Sequence, residues 1–301
     1  MNLLALLFAL LCERGLTAVL KLREARWLDG YGDWTSRVVA RRSGVVRWVL
    51  AAIAIAVPVL PVAVASRSIG SHLLGLPQLL FAVLVLLFSF GPRDLKDEVD
   101  DYVGAIERGD LEAAAQRAKE LRESNAAGRE LGVRDGVEEA IFVQANNRIF
   151  GVIFWFLLLG ATGAWLFRVS DLLRRRAAFE ATRAKGALPN DASLRALADL
   201  HGVLAWAPAR LGALSYALAG SFEDAVGNWK VVVDGAGASL LERAEDLLAR
   251  VGRGSLQPSL ANVAPADLDL ATARGAWRIV LRALWIWIVT IAVLVLAGRA
   301  A

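Results

Sequence analysis

Polar side chains that could do chemistry lie immediately before the longest apolar stretch of the chain. Glu139, Asn146 and Asn147 are seven or eight residues apart, so a helix would place them on one face. Arg148 follows them and can extend its guanidinium group to a membrane surface. This cluster could bind a polar ligand, and the alternative is the capped, solvated end of a helix.

Further charged residues lie on or just beyond apolar stretches. Arg168 and Asp171 are three residues apart, a spacing that allows an ion pair on one helical face. Arg210 follows Pro208 inside an apolar run, where a guanidinium group requires an anion, either a carboxylate of the protein or a phosphate. We therefore predict that Arg210 pairs with Glu139, with Asp171 or with a bound anion.

The first apolar run, 1–20, is interrupted by Glu13 and Arg14. An ionisable residue at the centre of a membrane helix costs roughly 2.5–3.5 kcal/mol on insertion scales and is therefore a functional candidate. Glu13 and Arg14 are accordingly candidates for intramembrane polar residues. The alternative is that they mark a helix end and extend to the interface.

The sequence lacks the motifs of several common chemistries. It contains no G-x-x-x-x-G-K-[ST], no G-x-G-x-x-G and no G-x-S-x-G segment. Its one cysteine, Cys12, and its two histidines, His72 and His201, are far apart, so we predict no metal site, no disulfide and no cofactor. The net charge of +4 is too small to indicate binding to nucleic acid.

The residues that must position these side chains are strongly apolar. Hydrophobic residues make up 56% of the chain and are concentrated in a few long blocks, which indicates membrane helices. We predict an all-α, polytopic helical membrane protein with about four to five hydrophobic helices and helical soluble segments. The predicted division is membrane helices 1–3 in 1–90, a helical soluble segment in 91–147, membrane helix 4 in 148–170, a helical soluble or interfacial segment in 171–275, and a final membrane helix in 276–301.

The distribution of basic residues predicts the topology of the first part of the chain. Loop 21–47 is basic, whereas loop 66–75 is nearly uncharged. Because positively charged loops stay in the cytoplasm, we predict that 66–75 lies outside and 91–147 inside.

The fourth apolar block, 149–169, conflicts with this topology. If it crosses the membrane, it carries the following Arg174–Arg176 outside, where basic residues are disfavoured. Three resolutions remain open. A long domain can cross regardless of its charge, the block can be a re-entrant segment bent around Gly160–Gly163, or His201–Ala219 can be a fifth span. Close helix packing is the commoner explanation for a G-x-x-G centre.

Four segments of the chain, in order, resemble the AmpE family of inner-membrane proteins: 10–34, 88–110, 144–173 and 204–229. The resemblance implies a multi-pass protein of the bacterial inner membrane. It further implies a sensory or signalling modulator of β-lactamase induction, linked to the recycling of cell-wall muropeptides and to an amidase of that pathway.

The AmpE family is similar in turn to the CobD/CbiB family, whose members join an aminopropanol unit to cobyric acid. Several positions match the pattern of that family: Glu139, Phe154, Trp155, Gly160, Gly163, Ala164, Arg168 and Pro208–Leu211. Other positions depart from it: Val143 and Gln144 stand in place of Glu-Asn, Asn147 in place of aspartate, and Asp171 in place of asparagine. The acidic residues that a ligase would use are therefore largely absent.

These observations favour a signalling or binding protein without catalysis of its own, whose partners are the lipid bilayer and either the muropeptide-recycling amidase pathway or a phosphate-bearing ligand. The first alternative is a membrane-embedded ligase or transferase with a degenerate CobD/CbiB-like site. The second is a transporter or lipid handler, although no broken-helix inverted repeat is evident.

Overall fold

A computed structural model describes Leu6, Ala9 and residues 28–69, 76–90, 95–122, 131–183, 189–230 and 239–298. These residues are helical apart from turns and short connections, and no strand occurs among them. The helices follow in the order α1 (Asp29–Ala40), α2 (Gly44–Ser68), α3 (Leu76–Phe90), α4 (Leu95–Glu107), α5 (Leu111–Arg122), α6 (Val133–Ala145), α7 (Gly151–Arg183), α8 (Pro189–Ala219), α9 (Phe222–Trp229), α10 (Leu240–Leu260) and α11 (Leu268–Leu296). A π-helical turn, Asn146–Phe150, joins α6 to α7.

Among the residues that the structure describes, four stretches have the length and the apolar composition of a membrane span: Gly44–Ser68, Leu76–Glu107, Val133–Ala181 and Pro265–Leu296. Much of their apolar surface points outward. In α2, for example, only 22% of the most apolar 18-residue segment is buried inside the protein. Apolar side chains on such outward faces are stabilised by lipid rather than by water. The predicted fold class, an all-helical polytopic membrane protein, is thereby confirmed.

The apolar block at 149–169 does not form one straight helix, because α7 reverses direction at Gly160. The backbone of Gly160 has φ 64° and ψ −151°, a combination essentially restricted to glycine. A methyl group on Gly163 would lie 2.2 Å from the carbonyl oxygen of Trp155, and one on Gly151 would lie 2.3 Å from the Phe167 ring. In a straight helix, residues 151 and 167 would be about 24 Å apart.

Residues 133–159 and 161–183 are therefore the two antiparallel arms of a helical hairpin with Gly160 at its tip. The side chains of Gln144 and Arg175, 31 residues apart, are joined by a hydrogen bond of 2.9 Å. The span predicted at 148–170 thus consists of two half-length pieces that lie side by side.

The apolar part of each arm is too short to cross a bilayer. Between the tip and the first arginine of either arm, Arg148 or Arg168, lie at most 11 residues, a rise of about 16 Å. The hydrocarbon core of a bilayer is about 30 Å thick. We therefore expect the hairpin to enter and leave the membrane on one side, which keeps Arg174–Arg176 with the other basic segments.

Helix α8, which contains the apolar segment His201–Ala219, has two different faces. One face is buried in the core through Ala205, Ala209, Ala213 and Tyr216. The opposite face exposes apolar side chains, namely Val203, Trp206, Leu211, Leu214 and Leu218. Helix α8 packs beside both α7 and α10, so it covers the hairpin from one side.

We predict that Glu112 on α5 and Glu223 on α9, both exposed, lie on the same side of the membrane. Each is replaced by cysteine in a Cys12→Ala background and treated with a membrane-impermeant thiol reagent. Both should be protected in intact cells and labelled after lysis, whereas a cysteine at Ser71, in the predicted outer loop, should be labelled in intact cells. Labelling of Glu223→Cys but not Glu112→Cys in intact cells would show that the hairpin crosses the membrane.

We also predict that the arms of the hairpin tolerate no side chain at Gly163. An alanine there would place its methyl group 2.2 Å from the Trp155 carbonyl oxygen, which forces the arms apart at a cost of about 1–3 kcal/mol. Thermal unfolding in detergent should therefore show a lower Tm for Gly163→Ala. The control is Gly227→Ala on α9, where a methyl group would meet no atom within 4 Å; equal Tm values for the two variants would contradict the hairpin.

Candidate functional site

A cluster of ion pairs lies at the base of the hairpin, on its second arm. Asp171 is completely buried and is contacted by three guanidinium groups. Arg174 Nη2 lies 2.7 Å from Asp171 Oδ1, while Arg175 Nε and Arg168 Nη1 lie 2.8 Å and 3.3 Å from Oδ2. Spacings of three and four residues place all four side chains on one helical face.

Helical spacing predicts only part of this cluster, the Arg168–Asp171 ion pair, which the structure contains. Arg174 and Arg175 bear on the predicted topology and are not among the predicted site residues. Their distances of three and four residues from Asp171 were the signal that could have included them in the site.

A second set of contacts connects the two arms with α4. Gln144 Oε1, on the first arm, accepts hydrogen bonds from Arg148 Nε at 3.2 Å and from Arg175 Nη2 at 2.9 Å. Arg148 Nη1 also donates to Glu98 Oε1 at 2.9 Å. Arg148 therefore links α4 to the hairpin, and Gln144 links the arms to each other.

His201 closes the cluster from the side of α8. The Ser170 hydroxyl donates to the Phe167 carbonyl oxygen at 2.7 Å, so His201 Nδ1–H donates to Ser170 Oγ at 2.8 Å. Burial lowers the pKa of His201 to about 3, a shift that Asp171 opposes and the arginines increase. The imidazole is therefore neutral at physiological pH, and its Nε2 lies 3.9 Å from Asp171 Oδ1.

The π-helical turn buries two consecutive amide side chains, Asn146 and Asn147, each 1% exposed. Asn146 Nδ2 donates to Asn147 Oδ1 in a long contact of 3.4 Å. Asn146 Oδ1 and Asn147 Nδ2 have no hydrogen-bond partner among the described residues. Gly212 of α8 packs next to Asn146. Such π-helical turns occur frequently at functional sites.

The other predicted site residues have different positions. Glu139 is buried on α6, two turns before Asn146. Arg210 is not part of the Asp171 cluster. Its guanidinium carbon lies 4.0 Å from the centroid of the Trp206 ring, and its Nη1 donates to the Trp206 carbonyl oxygen at 3.0 Å.

The predicted pairing of Arg210 with a carboxylate is therefore wrong for Asp171, whose partners are the three arginines of its own arm. Within the described part of the chain, Arg210 has no ion-pair partner. A ring and a carbonyl group one turn away provide its contacts instead. Glu13 and Arg14 lie outside the described residues. No group of three or more histidine, cysteine or acidic residues that could hold a metal occurs in the described ranges.

Fold and site together define a class, a multi-pass helical membrane protein with a buried cluster of arginines and carboxylates at the base of a helical hairpin. A family model described as "Regulatory signalling modulator protein AmpE" matches residues 1–300. The chain belongs to the AmpE family.

Two proteins named cobalamin biosynthesis protein CobD are also similar to this chain. The protein of Chromobacterium violaceum is 30% identical over 155 residues, which are 49% of this chain and 46% of that protein. The protein of Stutzerimonas stutzeri is 30% identical over 228 residues, which are 66% of this chain and 71% of that protein. The chain thus spans less than half the length of the first relative. No solved structure matches the chain.

We predict that Asp171→Asn strongly destabilises the protein. The amide keeps the shape of the side chain but leaves the buried Arg168 and Arg174 and the partly buried Arg175 without its charge, a loss of about 3–5 kcal/mol. The measurement is thermal unfolding in detergent. Asp100→Asn is the matched control, because it removes an exposed carboxylate that pairs with Lys96 and should cost less than about 1 kcal/mol. Similar Tm values for the two variants would contradict the role of Asp171.

Proposed function

We propose that this protein is a signalling modulator of the bacterial inner membrane that links the recycling of cell-wall muropeptides to β-lactamase induction, without a chemical step of its own. Membership of the AmpE family supports the signalling role. The observation that carries the proposal is that the Asp171 carboxylate is held by Arg168, Arg174 and Arg175 in full burial.

A carboxylate in such surroundings is poorly suited to catalysis. A general base must contact the proton that it removes and must then hold it. Asp171 is not accessible, and its neutralisation would leave three neighbouring guanidinium groups without the carboxylate that they share. The cluster therefore acts as a structural junction and ligand contact rather than as an acid or base.

The same junction is well placed to detect a ligand. Through Arg148 and Gln144 it joins α4 and both arms of the hairpin, and through His201 it reaches α8. A ligand that changes one of these contacts also changes how the elements pack, which is the requirement for a binding signal to spread. We propose that the ligand which produces this signal is either a phosphate-bearing molecule or a component of the amidase pathway.

The proposal predicts that the cluster is needed for signalling and that exposed charges are not. The gene is deleted in a strain with inducible β-lactamase, and induction is measured after complementation. We expect wild type and Asp100→Asn to restore the wild-type response and Arg175→Met to fail at equal membrane abundance. A deletion strain whose β-lactamase induction is unchanged would disprove the proposal.

The alternative function is an amide-forming ligase or transferase like the CobD relatives, and the identity of 30% with those proteins favours it. Glu139, which matches an acidic position of that family's pattern, is the test residue. We expect purified protein to show no turnover of magnesium-ATP. Turnover that Glu139→Gln reduces by about 10²–10⁴, as for loss of a positioned acid or base, would replace the signalling proposal by the ligase.

A further inference from the structure

Two guanidinium groups of the cluster converge on an oxygen that carries no charge. Arg148 Nε and Arg175 Nη2 lie 3.2 Å and 2.9 Å from Gln144 Oε1. An amide oxygen accepts both hydrogen bonds, but it does not neutralise the repulsion between two cations. At this point of the cluster an anion would be bound more strongly than the amide, because hydrogen bonds between ionised partners are roughly twice as strong as neutral ones.

The nearby carboxylates are already engaged by other contacts. Asp171 is shared among three arginines, one of which is Arg175, and Glu98 contacts Arg148 from α4. Arg148 contacts the Glu98 carboxylate, and Arg175 contacts the Asp171 carboxylate, which it shares with Arg168 and Arg174. Guanidinium groups in a buried environment are costly unless their charge is well compensated.

Arg148 and Arg175 form the more exposed edge of the cluster, and the Gln144 side chain between them is buried. The side chains of Arg175, Glu98 and Arg148 are 20%, 18% and 10% exposed, whereas that of Asp171 is 0% exposed. An anion that approaches from outside therefore reaches Arg175 and Arg148 before Asp171, and it must displace the buried Gln144 side chain. Arg148 lies where the apolar part of the first arm ends, at the expected level of the membrane surface.

We propose that the base of the hairpin binds a phosphate group between Arg148 and Arg175, in the position now bridged by Gln144. A tetrahedral phosphate has enough oxygens to accept hydrogen bonds from two guanidinium groups at once. The phosphate belongs either to a soluble molecule or to a phospholipid headgroup. The biological role of this phosphate site rests on the proposed signalling function. Phosphate binding itself is measured independently of β-lactamase induction.

Phosphate binding has a direct structural consequence. When phosphate takes the place of the Gln144 oxygen, the hydrogen bond between the two arms is replaced by one that passes through the ligand. The relative position of the arms then depends on occupancy, and Arg148 transmits the change to Glu98 on α4. This is how a phosphate at the base would alter the packing of the hairpin.

The decisive variant is Gln144→Glu, which supplies a negative charge at the proposed phosphate position. Full-length protein is purified in dodecyl maltoside, which contains no phosphate, and Tm is measured against inorganic phosphate concentration. We expect phosphate to raise the Tm of the wild type. Gln144→Glu should have a higher Tm without phosphate and bind phosphate about ten- to a hundredfold more weakly. The control, Arg274→Met, removes an exposed ion pair with Glu107 and should bind like the wild type.

A second titration distinguishes the two possible sources of the phosphate. The same proteins are titrated with phosphatidylglycerol in maltoside micelles. If only phosphatidylglycerol stabilises the wild type, and Gln144→Glu loses this effect, the ligand is a lipid headgroup. If inorganic phosphate stabilises the wild type, and the same variant loses this effect, the ligand is a soluble molecule. The proposal is overturned if neither probe stabilises the wild type, or if Gln144→Glu responds to both probes as the wild type does. A normal phosphate response together with unchanged β-lactamase induction would refute the signalling role and leave the site intact.

Discussion

The reversal of the chain at Gly160 is the constraint on which the polar centre of this protein depends. A backbone with φ 64° and ψ −151° is essentially available only to glycine, and it returns the second arm alongside the first. Gln144 and Arg175, 31 residues apart, meet as a result. In a continuous helix they would be about 46 Å apart, and the polar residues of the two arms would make no contact.

The hairpin also gives its two ends different environments. Leu158 and Leu159 at the tip are 59% and 53% exposed, as expected for side chains that face lipid. At the base, Asp171, Arg168 and Arg174 are buried among helices, where each charge depends on the others because water does not compensate them. Such a base is suited to holding elements together and to responding when an anion enters. The relatives named CobD are 30% identical to this chain over parts of their length, and Val143 and Asn147 stand where the pattern of that family has acidic residues.

Local spacing predicted some contacts of the site and not others. The Arg168–Asp171 ion pair follows from a separation of three residues within one helix. The contact of Arg148 with Glu98, 50 residues away, does not follow from any periodicity, because it depends on where α4 packs. The apolar surroundings of Arg210 in the sequence predict an anionic partner. The ring and carbonyl group of Trp206 provided a nearer partner on the same helix.

The sequence by itself determined the class of this protein, because long apolar blocks are stable only as helices in lipid. It also determined which segments carry the arginines and carboxylates. Only the tertiary structure decided that the block at 149–169 turns back, since hydropathy measures composition, whereas direction depends here on the backbone of Gly160. Only the tertiary structure united Gln144, Arg175 and His201 in one site, because helical periodicity describes neighbours within one helix and packing between helices brings distant residues together.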